Sequence, residues 1–461
     1  MGASMESSTP SGEMDYNIPK AADLDQVNLE ADEKQDIAPA YKQDAFGNEE
    51  FAEVKYKVLK WWQCGLLMVA ETVSLGVLSL PAAIATMGYV PSVIVLVGLG
   101  VITTYTGYIM GQMKLRFPQI TTMADAAEIV AGKFGREFVG AGWSIFFIFI
   151  MASHLLTFTV AMNTITDHGT CTIVFGIVGM VISFVCTIPR TLEKMSWLSI
   201  VSFISIFSAV IITMIALGIE RPGAGLTAIT QTNLYNGFTA VTNIVFAFCS
   251  HGAFFGLMAE LRNPRDFTKS LCLLQGLDMT LYLVAAVVIY RYAGADVTSP
   301  ALGSTSSVVS KVAYGIALPT IVIAGVINGH VAIKYVYVRI FRGTDRMHKR
   351  DWVAISSWVG IAACMWVLAW IIASAIPVFS NLLSLITALF ASWFSFGFPS
   401  ILWFHMNKGV YFSSPRKIVL TIINLIIVGI ACALCGMGLW VSGKAIHDNP
   451  SSASFSCANN A

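Results

Sequence analysis

After Lys60 the chain turns into a series of apolar runs separated by short polar segments. The runs are 62–84, 90–110, 138–163, 172–189, 197–219, 237–259, 271–292, 315–338, 353–376, 380–404 and 417–441. Roughly 20 apolar residues let a helix cross the hydrocarbon core of a bilayer. The runs are continuous rather than alternating, which argues against a membrane β-barrel. Helices remain, because they satisfy their own backbone groups in lipid. The pattern predicts an all-α integral membrane protein with about eleven transmembrane helices in a domain over 61–441. A tail, 1–60, precedes that domain, and a short tail, 442–461, follows it.

Composition supports the same class: 56% of residues are hydrophobic and 12% charged, against about 25% charged in soluble domains. The lipid bilayer is therefore the main partner, and no nucleic-acid partner is expected. Net charge is only +1, but its placement is informative. With the N-terminus cytoplasmic, 21 of the Lys and Arg residues from Lys55 onward fall in cytoplasmic segments. Arg221, Arg291, Lys311 and Lys444 fall on the other side. That segregation follows the positive-inside rule and places the C-terminus outside. Miscounting one central helix would scramble it.

Residues 1–50 hold twelve Asp and Glu against three Lys. Such a segment buries too little apolar area to offset its ordering entropy and is expected to be disordered. It is either an inert tail or a regulatory one modified at Ser7, Ser8, Thr9 or Ser11. It lacks the apolar core of a cleavable signal peptide. Cys171 and Cys457 both fall on the outer side, where pairing is chemically permitted; location is the only argument for it. Cys432 and Cys435 form a C-x-x-C inside an apolar run without a second ligand pair, so no metal site is expected there.

Span 1 carries Ser74, Gly76, Ser79 and Pro81, and span 6 carries Cys249-Ser250-His251-Gly252 near its middle. Either alone reads as a softened packing helix. Together they occupy corresponding positions of a five-plus-five arrangement, and paired interrupted helices point to a transporter site at midmembrane. A broken helix offers backbone N–H groups to a carboxylate and carbonyls to an ammonium, which suits a zwitterion. Ionisable residues inside spans default to functional candidates. Glu71, about one turn before the expected break, can bind and release a proton; His251 and Asp278 are the alternatives, and the sequence does not choose among them. His154 and His330 read as packing histidines. Gly107/Gly111, Gly252/Gly256 and Gly325/Gly329 allow close helix approach, with Asn328 beside the last pair. Trp352, Trp358, Trp403 and Trp440 read as interfacial anchors.

The segments "SLGVLSLP" and "FAFCSHG" resemble the amino acid/auxin permease family. "WWQCGLLMVAETVSLGVLSLPAAIATMGYVP" and "TYTGYIMGQMKLRFP" are similar to fungal neutral amino-acid permeases of the methyltryptophan-resistance type. The resemblance covers about residues 60–441. It implies a LeuT-like five-plus-five inverted repeat plus one extra helix, with helices 1 and 6 broken. It further implies uptake of neutral amino acids, aliphatic and aromatic, with H⁺ as coupling ion and no other cofactor. Carried over by position, Val73, Ser74, Leu75, Gly76 and Val77 would face the substrate from span 1. Phe246, Phe248, Cys249, Ser250 and His251 would face it from span 6. Ser74-Leu75-Gly76 departs from the Gly-Ser-Gly of many relatives, which bears on the shape of the break. Ala70 stands near the position where sodium-coupled relatives have Asn, which makes Na⁺ the weaker candidate.

The expected protein is a proton-coupled symporter at the plasma membrane, acting by alternating access and monomeric as a functional unit. A vacuolar exporter of the same fold and an amino-acid receptor with little flux are the alternatives. Loops and span ends show no convergent His/Asp, Ser/His or metal cluster, so an enzyme is not expected.

Overall fold

The computed structural model describes residues 57, 59–189, 195–223, 225–341, 352–448 and 454–460. The acidic tail and its candidate phosphorylation sites lie outside the described residues, as do Lys55, Arg190, Lys194, Arg342, Arg346, Lys349 and Arg350 from the charge count. Span 1 is Trp61–Met87, span 2 Tyr89–Arg116, span 3 Met123–Thr166, span 4 Thr172–Thr187 and span 5 Met195–Glu220. Span 6 is two helices, Leu234–Ala247 and His251–Glu260. Span 7 is Phe267–Ala293, span 8 Ser307–Phe341 and span 9 Trp352–Ala375. Span 10 runs from Phe379–Ile386 through a π-helical stretch, Thr387–Gly397, to Phe398–Met406, and span 11 is Pro415–Asp448. Ten of these, among the described residues, are long and apolar enough to cross a membrane. Span 4, with 16 residues, is the short eleventh.

Two helices differ from the sequence expectation. Span 3 begins well before its apolar run, because Thr122 and Asp125 cap its N-terminus reciprocally: Asp125 N donates to Thr122 Oγ1 (3.2 Å) and Thr122 N to Asp125 Oδ2 (2.9 Å). It bends at Gly132, whose φ of +62° is cheap for a residue without Cβ. Span 1 is the larger correction. It is a single unbroken helix rather than a broken one. Thr72 Oγ1 donates to Met68 O (2.7 Å) and Ser79 Oγ to Gly76 O (2.9 Å), so these hydroxyls bond the helix they belong to. Gly76 serves a close approach instead: a Cβ there would lie 2.6 Å from Cα of Ala247.

Span 1 sits at the centre, packed by spans 5, 6 and 7, while span 8 packs on spans 3 and 5. Spans 9 and 11 keep large apolar side chains outward, among them Ile371, Ile422, Leu425 and Ile426, as a lipid-facing surface requires. Glycines set the closest crossings: a Cβ on Gly107 would meet Leu271 and Phe254, and one on Gly325 would meet His154 at 3.0 Å. Trp352 and Trp440 are exposed near span ends, as expected of anchors. Trp358 and Trp403 are buried instead; Trp358 Nε1 reaches Thr187 O (3.4 Å) across spans 9 and 4.

The C-terminal tail returns to the bundle. Cys171 and Cys457 form a disulfide. Around it Thr172 Oγ1 donates to Ala458 O (2.7 Å), Asn460 Nδ2 to Thr159 Oγ1 (2.9 Å) and Phe455 N to Ser374 O (3.0 Å). The tail thus joins the end of span 11 to spans 3, 4 and 9.

Candidate substrate site

Span 6 breaks where its sequence is polar and small. Phe248 N bonds Val245 O and Cys249 N bonds Phe246 O, three residues back, and Ser250 N bonds Phe248 O, two residues back. The ladder tightens and stops. Phe248 (φ −102°, ψ 13°) leaves helical geometry, and Ser250 (φ −105°, ψ −3°) stands at the head of the next helix. A helix end leaves carbonyls and N–H groups without intrahelical partners. One freed carbonyl, Ala247 O, accepts from the hydroxyl of Tyr282 in span 7 (2.8 Å). The same hydroxyl lies 3.0 Å from Thr72 O in span 1.

Beside the break lies a small cavity of about 40 Å³. Space for one water takes about 10–15 Å³ by the same measure, so the cavity holds on the order of three waters. An amino acid needs more room than this. Span 1 lines the cavity with Glu71, Thr72, Ser74, Leu75 and Gly76; span 6 lines it with Phe246, Cys249, Ser250, Gly252 and Ala253. Span 3 closes it with Phe146, Phe147, Ile150 and His154, and span 8 adds Asn328. Phe146 is backed by Phe147, Phe390 and Phe394, at ring-centroid distances of 5.3, 5.9 and 5.6 Å. The last two rings come from the π-helical stretch of span 10, a helix form that recurs at functional sites.

The polar groups in this cavity are underused. Ser74 Oγ and Ser250 Oγ are buried and have no hydrogen-bond partner among the described residues. Buried hydroxyls normally find one, and two facing the same cavity can take a ligand. The helix His251–Glu260 starts here, so its positive end and first N–H groups adjoin the space. Glu71 opens on the cavity from the opposite wall.

The structure brings together most of the residues singled out in the sequence. Glu71, Ser74, Leu75, Gly76, Phe246, Cys249 and Ser250 all line the cavity. Val73, Val77 and Phe248 are buried without lining it; Phe248 packs edge-on against Tyr282 at 5.4 Å. His251 faces span 2, with Nε2 2.9 Å from Thr106 Oγ1 and 3.1 Å from Thr103 O. Asp278 lies on span 7, also outside the cavity. His154 is at once a packing histidine, with Nδ1 3.0 Å from Ile321 O, and a wall of the cavity. Asn328, named in the sequence beside the Gly325/Gly329 pair, lines the cavity; Tyr282, Phe146 and Phe147 have contacts in the site that their sequence positions do not announce.

Comparison with known proteins identifies the family and the fold. Residues 57–443 match the family described as transmembrane amino acid transporter protein. The chain is 38% identical over 405 residues to the N amino acid transport system protein of Neurospora crassa, covering 86% of each. It is 30% identical over 384 residues to a transmembrane transporter of Fusarium pseudograminearum, covering 81% of this chain and 80% of that one. Among solved structures, Mhp1, a nucleobase-cation-symport-1 family transporter in a closed conformation, superposes with a TM-score of 0.54. That match covers 88% of this chain and 96% of Mhp1 at 12% identity, which establishes a shared LeuT-like fold. The protein is a multi-pass membrane transporter, not an enzyme, and it belongs to the transmembrane amino acid transporter family, the amino acid/auxin permeases.

Proposed function

We propose that the protein is a proton-coupled symporter of neutral amino acids, aliphatic and aromatic, working by alternating access. The observation that carries this reading is the cavity lined together by Glu71, two unpartnered hydroxyls and the start of a helix. The substrate carboxylate meets the N–H groups at the start of His251–Glu260 and the hydroxyls of Ser74 and Ser250. The ammonium meets the carbonyl end of Leu234–Ala247 and the Glu71 side. The aromatic wall of Phe146, Phe147 and Phe246 receives an apolar side chain. The Neurospora relative is named an N amino acid transport system protein, which supports an amino-acid substrate.

Glu71 is the coupling residue in this reading, bearing a proton when substrate binds and losing it on the opposite side. The proton contributes about 2.3 kcal/mol per 100 mV of membrane potential, besides its concentration gradient. The positive-inside pattern supports a cytoplasmic N-terminus and a C-terminus on the opposite side of the membrane; uptake at the plasma membrane is part of the proposal. A cavity built within one chain supports a monomeric functional unit.

The test is uptake of labelled neutral amino acids into proteoliposomes, with and without an inward proton gradient, for wild type and Glu71→Gln. Wild type is expected to concentrate substrate under the gradient. Glu71→Gln is expected to retain exchange and lose accumulation. Unchanged accumulation in the variant removes Glu71 from coupling. Binding without flux in wild type replaces the transporter reading with a receptor.

A further inference from the structure

Span 7 carries a polar face that the cavity does not use. Gln275, Asp278 and Tyr282 share one side of the helix at i, i+3 and i+7, and all three are buried. Asp278 is 0% exposed, and neither of its carboxyl oxygens has a hydrogen-bond partner among the described residues. Gln275 Oε1 is unpartnered as well. A buried carboxylate without a donor is among the costliest groups a protein can hold, and the neutral acid is far cheaper.

One turn further along is Tyr282. Helical side chains lean toward the N-terminus of their helix, so Tyr282 lies over the turn that bears Asp278. Its hydroxyl has one proton and two carbonyls within reach, Thr72 O at 3.0 Å and Ala247 O at 2.8 Å. The first belongs to span 1 beside Glu71, the second to the last residue before the span 6 break. One hydroxyl therefore ties together the two helices that form the site.

We propose that Asp278 is a second proton-binding site that acts on the substrate site through Tyr282, a positioning residue. With Asp278 neutral, the Tyr282 hydroxyl holds the Thr72 and Ala247 carbonyls together. When the Asp278 proton leaves to water, Tyr282 keeps its own proton and turns it to the new carboxylate. The link between spans 1 and 6 is then released. The inference rests on the proton-coupled reading above and adds a residue on a third helix to it.

The titratable groups on the elements around span 7 are Cys64 and Glu71 of span 1, Tyr89, Tyr105 and Tyr108 of span 2, His251 of span 6, Glu220 at the end of span 5, and Arg265, Asp266 and Asp296 in the short turns at the two ends of span 7. Tyr105 bonds Asn424, His251 bonds Thr103 and Thr106, and Glu220 bonds Ser306. Glu71 opens on the cavity, and Cys64 is a thiol near the far end of span 1. Lys114 and Arg116 lie at the end of span 2, past the level where Gly111 meets Phe267, and bond backbone carbonyls of Pro118, Ile120 and Met406. No described bond joins any of these groups to Asp278.

The test uses the full chain in proteoliposomes with labelled leucine and phenylalanine. An inward gradient of about one pH unit sustains roughly tenfold accumulation for each proton carried per substrate. Wild type is expected to reach at least that ratio. Asp278→Asn, locked in the neutral form, is expected to keep exchange, fall below the wild-type accumulation ratio and retain only the pH dependence that Glu71 gives. Tyr282→Phe keeps the ring and Asp278 but lacks the hydroxyl; it is expected to show the same lowered ratio and the same reduced pH profile. A variant that lost only structure would lose exchange too. Accumulation by Asp278→Asn at the wild-type ratio, or an unaltered pH profile in Tyr282→Phe, overturns the inference and leaves the coupling reading standing. Absence of gradient-driven accumulation in wild type overturns both. Should the variants not reconstitute, wild type is treated with dicyclohexylcarbodiimide, which modifies neutral carboxyls in apolar surroundings, and mapped by mass spectrometry. Modification of Asp278 that falls as pH rises is the expected result; an unmodified Asp278 at every pH overturns the proposal.

Discussion

Gly76 allows the junction of spans 1 and 6 to be tested at one atom. A Cβ built there lies 2.6 Å from Cα and 3.0 Å from Cβ of Ala247. Carbons pack comfortably at about 3.5–4.0 Å, so Gly76→Ala has to part the helices by about 1 Å. The nearest atom met is backbone and cannot rotate aside. Overpacking of this kind costs typically about 1–3 kcal/mol. Parting the helices also stretches the Tyr282 bond to Ala247 O, and a buried carbonyl left without its donor adds about 1–3 kcal/mol. Against this, Ala is better than Gly inside a helix by about 1 kcal/mol. The net expectation is a loss of about 3 kcal/mol. The assay is thermal unfolding of the purified protein in detergent, with uptake measured in parallel. Gly98→Ala and Gly276→Ala are the controls, because a Cβ at either meets nothing within 4 Å. Both are expected to hold or slightly raise stability. Gly76→Ala should unfold at a lower temperature than wild type and transport poorly. A Gly76→Ala protein with the midpoint and uptake of its controls would refute the backbone-to-backbone packing of span 1 on the break.

Further outcomes follow from the same geometry. Ser74→Ala and Ser250→Ala each remove a hydroxyl that no described residue uses, so thermal stability should hold. If the substrate takes those hydroxyls, a typical hydrogen bond implies a Kd about 2–12-fold weaker for each. Equilibrium binding of a labelled neutral amino acid measures this, and an unchanged Kd in both variants removes the hydroxyls from the site. Cys171→Ser cuts the covalent link that seats residues 454–460 on spans 3, 4 and 9. Carboxypeptidase should then trim the C-terminal tail faster than in wild type without a change in substrate affinity; equal trimming would show that the remaining hydrogen bonds suffice.

Much of this architecture is legible in the sequence because lipid enforces it. A span has to be a helix of a given length, so apolar runs alone locate all eleven helices, although span 8 starts at Ser307 and span 11 ends at Asp448, each well beyond its run. The N-terminal part of span 3 escaped that signal, since Met123–Gly135 is held by a capping box and is not part of an apolar run. The break in span 6 was legible in Cys249-Ser250-His251-Gly252, where small and polar residues interrupt a buried helix. The matching inference for span 1 failed for a definite reason. A glycine in a buried helix marks either a backbone that parts or a second backbone that comes close, and the local pattern is the same for both. What decides is the partner, Ala247, which is remote in sequence. The hydroxyl of Ser79 was equally ambiguous, and it turned inward to its own helix, as that of Thr72 does.

The misplaced break also explains why Tyr282 could not be found by reading spans 1 and 6 alone. With both helices broken, each would supply its own free carbonyls and N–H groups to a substrate. With span 1 intact, the burden of irregular backbone falls on span 6, and Ala247 O needs a donor from elsewhere. Span 7 provides it. A phenol is suited to that place because its hydroxyl satisfies a carbonyl while its ring stays in apolar contact, here against Phe248. Placing the same hydroxyl within reach of Thr72 O makes span 1 sensitive to the state of the break without being broken itself. An intact helix with a glycine at the contact, a broken helix beside it and a tyrosine joining the two divide the work: span 1 gives a stiff wall, span 6 the exposed backbone, and span 7 the link between them.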